Sequence, residues 1–300
     1  MPSTRRWTAG GKSTGSAPGA SGGPRGREWL AAERAARKRA ETRRRLVLPG
    51  AAVVAVLGVV GAIIGVSRST AHPAATETRA ASVIVQQATA VPLGVLTRVS
   101  PGQAGTPLQQ VAAPSPPLTA DGKPVIVFVS EESCPFCAAE RWPLVVALSH
   151  FGTWSNLGST RSSPTDVYPN TATFSFRAAH YSSARIALRT TELADNTGRA
   201  LQPETPLDAK LISAYDVPPF VNSADQSGAV PFLDIANHYI LAGAQYNPQI
   251  LAGLSAAQIA GQLRNPSSPV AQAIDGSARS IIMAINQVLN GTPTGGASRT

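Results

Sequence analysis

The chain has 300 residues, a net charge of +9 and only two cysteines, Cys134 and Cys137. The charge is confined to one end, because residues 1–45 hold 12 Lys and Arg against 3 Asp and Glu, whereas residues 46–300 hold 14 of each. The part of the chain that can form a core therefore has no net charge. Its composition gives no support for a nucleic-acid partner, which would require a basic surface.

The N-terminal region predicts a basic cytoplasmic tail. Residues 1–27 are rich in Gly, Ser, Pro and Arg and lack the aliphatic residues that a core needs, so we expect them to be disordered. Residues 28–45 are rich in Ala, Glu and Arg, which favour a helix. This helix could attract anionic lipid headgroups, or its charge could serve only to fix the orientation of a membrane anchor.

Residues 46–67 form an apolar run without a single charged residue. About 20 such residues are needed for a helix to cross the hydrocarbon core of a membrane. The run is longer than the core of a typical signal peptide, so we predict one uncleaved transmembrane helix, with cleavage near residues 71–75 as the alternative. The excess of Arg before the run places the N-terminus in the cytoplasm and residues 68–300 outside the cell membrane.

Three regions are expected after the anchor. Residues 68–117 read as an extracytoplasmic linker rich in Pro and Ala, with two apolar runs at 83–85 and 91–96 that predict short strands. Residues 118–290 hold the folded domain, and residues 291–300 form a loose polar tail.

Residues 118–290 alternate between strand and helix patterns. The continuous apolar run at 125–129 is typical of a strand buried on both faces. A helix interrupted by Pro143 follows from residue 135 to about residue 151. The remaining predicted elements are a polar loop at 152–170, strands at 171–176 and 186–192, a helix at 205–215, a hairpin at 230–243, a capping box at 255–258 and a helix at 270–289. This order predicts an α/β fold, a mixed sheet with helices packed on it.

The two cysteines stand between the buried strand and the helix, in the order Cys134-Pro135-Phe136-Cys137. The unpaired N–H groups at a helix start carry partial positive charge and stabilise a thiolate. Cys134, at the start, is therefore the candidate nucleophile, and Cys137 is the candidate resolving thiol one turn later. Pro135 stiffens the turn and Phe136 adds apolar surface beside the reactive sulfur, so both are candidate substrate contacts.

Other uses of the cysteine pair have weaker support. A structural disulfide between such close neighbours closes a very small loop and constrains the unfolded chain little. A zinc site needs four ligands, and the four histidines of the chain are not at paired spacing. We therefore predict no metal and no cofactor. Redox chemistry is favoured by the strand–turn–helix context, and a binding domain with an inactive pair is the alternative.

The strand, the C-x-x-C motif, the helix and the Val-Pro that opens the hairpin together resemble the thioredoxin fold, over about residues 123–263. The resemblance implies that Cys134 is the nucleophile, that Cys137 resolves, and that Val230 and Pro231 belong to a cis-proline loop that holds the substrate backbone. The Pro-Phe insert is more similar to glutaredoxins than to thioredoxins. One position departs from the pattern, since Phe128 stands where these proteins usually carry a buried carboxylate.

A second resemblance rests on longer segments. Leu-Thr-Ala-Asp-Gly-Lys-Pro (118–124), Glu-Ser-Cys-Pro-Phe-Cys-Ala-Ala-Glu-Arg-Trp (132–142), Ala-Leu-Ser-His-Phe-Gly-Thr-Trp (147–154) and Val-Pro-Phe-Leu-Asp-Ile-Ala-Asn (230–237) resemble an uncharacterised family of membrane-anchored bacterial and archaeal proteins, a domain of unknown function. The resemblance covers about residues 83–289. It implies a thioredoxin-like domain and no particular reaction.

Charged residues near the motif are expected to be peripheral. Glu131 and Glu132 lie on the turn before the cysteines, where most carboxylates are solvated. Arg141 could favour a thiolate by its charge, but we predict a surface position for it. Asp234 could be buried with a perturbed pKa, and His238 lies in the hairpin, where a surface role is expected.

Taken together, these patterns predict a membrane-anchored extracytoplasmic thiol–disulfide oxidoreductase that acts on cysteines of exported proteins. Because the chain has one thiol pair, turnover would need an external redox partner, which we expect to be another membrane protein. A non-catalytic envelope binding module is the alternative. The patterns favour none of oxidation, isomerisation and reduction over the others.

Overall fold

The computed structural model describes residues 78–100, 106–112, 116–221 and 228–291. All of them belong to the second of two units of the chain, His72–Thr300. The predicted tail at 1–45 and the predicted anchor at 46–67 lie outside the described residues. Within the described ranges, no helix is both long and apolar enough to cross a membrane.

The described residues form eleven strands and six α-helices. The strands are β1 (Thr78–Arg79), β2 (Gln109–Gln110), β3 (Thr119–Ala120), β4 (Lys123–Ser130), β5 (Thr153–Ser155), β6 (Gly158–Arg161), β7 (Ala172–Ser175), β8 (His180–Ser182), β9 (Ala187–Glu192), β10 (Phe232–Ile235) and β11 (Tyr239–Ala242). The helices are α1 (Ser82–Thr89), α2 (Leu93–Leu96), α3 (Pro135–Leu148), α4 (Pro206–Tyr215), α5 (Ala256–Gln262) and α6 (Pro269–Leu289), and a 3-10 helix spans Pro248–Leu251.

A six-stranded mixed sheet is built around β4. β10 runs antiparallel to β4, and β9 runs parallel to it, with Ser130 and Glu192 opposite each other at the end of the ladder. β11 and β2 continue the sheet beyond β10, and β3 pairs with the first two residues of β4. The predicted mixed sheet and its buried strand at 125–129 are confirmed.

β4 is buried on both faces because helices cover both sides of the sheet. Ile126 and Phe128 belong to a large core that includes α3 and α6, whereas Val127, between them, belongs to a second core with Leu211 of α4. Successive side chains of a strand point to opposite faces, so burial on both sides requires an unbroken apolar run. The fold is an α/β mixed sheet flanked by helices.

The predicted helix starts are confirmed by their capping contacts. Thr205 and Asp208 form a capping box at α4, and Ser255 and Gln258 form another at α5. Each box satisfies two backbone N–H groups that the first helical turn cannot pair internally. At α3, the capping residue is Cys134, so the same local chemistry that starts this helix also positions a thiol.

The apolar runs at 83–85 and 91–96, predicted as strands, form helices instead. In α1, Ala88 is fully buried, and Ile84 and Val85 pack against the same core. These positions share one face of a helix, and α1 packs against α3 and α5. Packing against other helices therefore outweighs the strand preference of β-branched residues.

The region at 152–170, predicted as a polar loop, contains the strands β5 and β6. β5 pairs with β8, and β6 pairs with β1 and β7, in two small sheets separate from the central one. Strands of three or four residues leave little room for an alternating pattern. Their partners lie elsewhere in the chain, so local composition does not reveal them.

Gly152 lies where the chain turns from α3 into β5. A Cβ atom at this position would collide with the Ser182 carbonyl oxygen and lie 2.7 Å from the Tyr181 hydroxyl oxygen. Because backbone must move to make room, we expect Gly152→Ala to lower the free energy of unfolding by about 1–3 kcal/mol, measured by urea denaturation. Gly261→Ala in α5 is the matched control, since nothing lies within 4 Å, and it should be neutral or stabilising by up to about 1 kcal/mol. Equal losses in both variants would contradict the steric explanation.

Candidate functional site

The two cysteines lie together at the N-terminus of α3, directly after β4. Cys134 is the N-cap residue, and its Sγ accepts a hydrogen bond from the Cys137 backbone N–H at 3.3 Å. Both side chains are free thiols; Cys134 is half-buried and Cys137 is fully buried. Only the Cys134 thiol can therefore meet a partner from solvent without movement of the helix.

The start of the predicted hairpin contacts the accessible thiol. Cys134 Sγ donates a hydrogen bond to the Val230 carbonyl oxygen at 3.6 Å. The Val230–Pro231 peptide bond is cis, as the resemblance implied. Pro231 is buried, and its carbonyl oxygen accepts the Gly243 N–H at 2.8 Å. The structure thus brings Val230, the first of the two predicted loop residues, into contact with Cys134.

The two inserted residues differ in exposure. Pro135 is buried, whereas Phe136 is 39% exposed. The Phe136 ring lies edge-to-face with the Tyr168 ring, with 5.9 Å between centroids. The segment that carries Tyr168 is tied to the motif, since the Ser163 N–H donates to the Ser133 carbonyl oxygen at 2.8 Å. Of the two predicted contacts, only Phe136 offers apolar surface to a large molecule.

Hydrogen bonding and burial separate the pKa values of the two thiols. The pKa of Cys134 is lowered, chiefly by its hydrogen bond with the Cys137 side chain and further by backbone N–H groups, although burial opposes this. Burial raises the pKa of Cys137 well above its ordinary value, and the adjoining Cys134 sulfur adds to the effect. The site therefore favours a thiolate at Cys134 and a protonated thiol at Cys137.

Arg141 lies one helical turn after Cys137, and the prediction that it is on the surface was wrong. Its side chain is fully buried, and Nε and Nη2 donate to the Glu192 carboxylate at 3.0 and 2.6 Å. Nη2 also donates to the Ser130 hydroxyl at 3.2 Å, and Nη1 has no hydrogen-bond partner among the described residues. The positive charge of Arg141 lowers the pKa of both thiols. Its effect is smaller than those of burial and of the contacts between the two cysteines.

Glu132 is also buried, which corrects the prediction of a solvated carboxylate. It is 2% exposed, and its Oε1 accepts the Ser175 hydroxyl at 2.6 Å. Burial raises its pKa, the Ser175 hydrogen bond and the charge of Arg141 oppose this rise, and the Glu192 charge adds to it. Its neighbour Glu131 is half-buried and donates its backbone N–H to Cys137 Sγ at 3.4 Å. A backbone donor of Glu131 therefore reaches the buried thiol, and the buried Glu132 carboxyl lies within the influence of the Arg141 charge.

Part of this arrangement had a signal in the sequence. Arg141 follows Cys137 by four residues, so the two share a helix face. Glu192 ends β9, and Ser130, its partner in the parallel ladder, ends β4, just before the motif. The ends of paired parallel strands lie side by side. A prediction that β9 adjoins β4 would thus have placed Glu192 near the cysteines.

Asp234 and His238 serve the hairpin turn. The predicted hairpin is confirmed, with a three-residue loop, Ala236–His238, in which Ala236 and Asn237 both have positive φ. Asp234 Oδ1 accepts the Asn237 N–H at 2.8 Å, and burial raises the pKa of Asp234 to about 7. His238 Nδ1 lies 2.9 Å from the Ala236 carbonyl oxygen. These contacts tie both residues to the turn and not to the thiols.

Two further acids are buried, Glu140 on α3 and Asp275 on α6. Glu140 is fully buried and its Oε2 accepts the Gln245 backbone N–H at 3.0 Å. Asp275 is also fully buried, and neither of its oxygens has a hydrogen-bond partner in the described ranges. Burial raises the pKa of each acid to about 8. Among the described residues, no group of three or more His, Cys, Asp or Glu could hold a metal ion.

Comparison with known proteins identifies a family and not a reaction. A search of curated proteins and a search of solved structures each found no significant match. One family model, the domain of unknown function DUF929, matches residues 109–287. The matched range runs from β2 into α6, so it includes the cysteine motif, the buried ion pair and the hairpin. The chain belongs to the DUF929 family.

Proposed function

We propose that the chain is a membrane-anchored, extracytoplasmic thiol–disulfide oxidoreductase with a thioredoxin-like fold. The observation that carries the proposal is the asymmetry of the two free thiols at the start of α3. Cys134 is half-buried with a lowered pKa, and Cys137 is fully buried with a raised pKa. A thiol is reactive when it ionises readily and is accessible to solvent. A buried, protonated thiol does not react with molecules in solution and can attack only after its neighbour has formed a mixed disulfide.

The exchange balances with the two thiols alone. In reduction, the Cys134 thiolate attacks a substrate disulfide, which forms a mixed disulfide and releases one substrate thiolate. Cys137 then gives up its proton, directly or through water, to the released substrate thiolate and attacks the Cys134 sulfur, so the Cys134–Cys137 disulfide forms and the second substrate thiolate leaves. In oxidation the same steps run in reverse, and two electrons pass from the substrate dithiol to the Cys134–Cys137 disulfide. Neither direction requires a metal or a cofactor.

The thioredoxin-like part of the proposal is supported by how the sheet presents the pair. β4 leads directly into the motif and α3, and the hairpin that pairs antiparallel with β4 begins beside Cys134. Helices cover both faces of the sheet. We propose that an extended substrate segment lies between the Val230 loop and the exposed Phe136 ring, with its reactive sulfur at Cys134.

The proposed location and partners follow from the rest of the sequence. The apolar run at 46–67, preceded by Arg-rich residues, supports a single-pass anchor with the domain outside the cell membrane. Disulfides form and persist in such compartments, so exported cysteine-containing proteins are the proposed substrates. With one thiol pair in 300 residues, the chain needs a second protein to regenerate it, and we propose a membrane redox partner.

Trapping of mixed disulfides tests the proposal. In the full-length chain in its native membrane, Cys137→Ser should accumulate covalent adducts, because the thiol that resolves them is absent. The adducts should disappear with reductant and can be identified by mass spectrometry. Cys134→Ser is the matched control and should give none, since the remaining thiol is buried.

Adducts with neither variant, or equal adducts with both, would sink the oxidoreductase proposal. Recovery of a partner that is bound without a covalent bond, and equally by both variants, would favour the non-catalytic binding module instead.

A further inference from the structure

We infer that Arg141 is a positioning residue of the thiol site, because it is the buried counter-cation of the Cys137 thiolate. Glu192, which is paired with Arg141, limits how strongly the Arg141 charge stabilises that thiolate. The role in exchange rests on the proposed function. The electrostatic relationship itself is a property of the folded chain and can be measured without any substrate.

The inference begins from a difficulty in the resolving step. Cys137 must lose its proton to attack, yet it is fully buried. An unpaired anion in a protein interior is costly unless a cation or hydrogen-bond donors accompany it. The Glu131 backbone N–H, 3.4 Å from Cys137 Sγ, supplies one donor but no charge, and the fully buried apolar side chain of Phe128 supplies neither. Arg141, on the same helix face as Cys137, supplies a full positive charge.

The hydrogen bonds of Arg141 leave capacity for a second anion. Nε and Nη2 are bound to Glu192, and Nη2 also contacts Ser130. Nη1 is buried without a hydrogen-bond partner among the described residues. A guanidinium has five N–H donors in a rigid fork, so Glu192 can hold its orientation while other donors remain unused. A thiolate at Cys137 would give the buried Arg141 guanidinium a second anionic partner.

Several ionisable groups interact electrostatically with the Arg141 guanidinium. Glu192 at the end of β9, Glu132 on the turn after β4 and Cys137 on α3 each act on the Arg141 guanidinium. Glu132 also feels the charges of Glu192 and Arg177. With Glu192 ionised, the ion pair is neutral, so an ionised Glu132 and a thiolate at Cys137 compete for the same cation. Removing one acid should therefore make a thiolate easier to form.

Two substitutions should move the Cys137 titration in opposite directions. In a Cys134→Ser background, Cys137 is the only thiol, and the ultraviolet absorbance of its thiolate can be followed against pH, with the variant that lacks both cysteines as the blank. Glu192→Gln removes the competing anion, so the midpoint should fall. Arg141→Met combined with Glu192→Gln removes both charges, so no buried charge is left without its counter-ion, and loss of the cation nearer to Cys137 should raise the midpoint above that of the parent. At a fixed pH below the midpoint, we expect the Cys137 thiolate fraction to be about tenfold higher than in the parent for Glu192→Gln and about tenfold lower for the double variant.

The control is Arg189→Met, which removes the same charge from an exposed position on β9 and should leave the midpoint unchanged. Arg141→Lys keeps the charge and should stay near the parent, which separates charge from general disruption. Glu192→Gln alone still tests the inference if the double variant fails to fold. Midpoints for Glu192→Gln and for the double variant that coincide with that of Arg189→Met would overturn the inference. Opposite shifts without trapped adducts would reject the oxidoreductase proposal alone, and trapped adducts without shifts would reject the role of Arg141 alone.

Discussion

Raising the pH from about 5 to about 9 should destabilise the folded domain, and Glu140 and Asp275 should account for most of the loss. Both are fully buried, and burial raises the pKa of each to about 8. In the unfolded chain they regain ordinary values near 4. Between these limits the folded chain binds more protons than the unfolded chain, so its stability falls as the pH rises. The contribution is complete below about pH 4 and is lost through about pH 8, for a total of up to about 10 kcal/mol, since each folded-state pKa lies about 4 above its unfolded value and each unit corresponds to about 1.4 kcal/mol.

Other groups act in the same direction over a lower range. Burial raises the pKa of Asp216 to about 6 and that of Asp234 to about 7, so their contributions are lost before those of Glu140 and Asp275. The slope of stability against pH should therefore be steepest at about pH 5–6, where all four carboxyls are protonated in the folded chain and ionised in the unfolded chain, and it should flatten as the pH approaches 8 and above.

Urea denaturation at several pH values, in the chain without cysteines, measures this slope free of thiol titration. Glu140→Gln and Asp275→Asn keep the shape of each side chain but cannot ionise, so each should flatten the profile, and the double variant should be flattest. Asp166→Asn, at an exposed position, is the control and should leave the slope unchanged. A profile as steep in the double variant as in the parent would show that these carboxyls ionise normally or do not govern the pH dependence.

Features fixed by neighbours in the sequence could be predicted. The unbroken apolar run of β4, the capping residues of α4 and α5 and the position of the hairpin turn are local patterns, and each was found where it was expected. The position of Cys134 at a helix start follows from the same kind of pattern. The sequence therefore predicted the cysteine pair and the general architecture around it.

The buried charges could not be predicted in this way. In α3, every residue from Cys137 to Leu148 is buried, because β7, α1, α6 and the 3-10 helix pack around it. A helix without an exposed face shows no amphipathic stripe, so its charged residues cannot be assigned to the surface by periodicity. Glu192, the carboxylate that compensates the buried charge of Arg141, is 51 residues away in sequence. The strand predictions at 83–85 and 91–96 were wrong for a related reason, since the helical form of these segments depends on contacts with helices that are distant in sequence.

Arg141→Met alone should be the most destabilising single substitution at the site, lowering the free energy of unfolding by about 3–5 kcal/mol. It would leave the Glu192 carboxylate buried without a cation and without two hydrogen bonds. Adding Glu192→Gln removes that stranded charge, so the double variant should recover most of the loss. Urea denaturation of the parent, both single variants and the double variant forms a double-mutant cycle that gives the coupling energy directly.

Arg189→Met, on the exposed side of β9, provides the reference for loss of an arginine from the surface and should change stability by less than about 0.5 kcal/mol. Additive losses in the cycle would contradict a coupled ion pair. A double variant as stable as the parent, but with the Cys137 midpoint moved to higher pH, would show that the pair adds little net stability. A buried ion pair often contributes no more than apolar side chains of the same volume. The role of Arg141 and Glu192 would then lie in the electrostatic field at the Cys137 thiol.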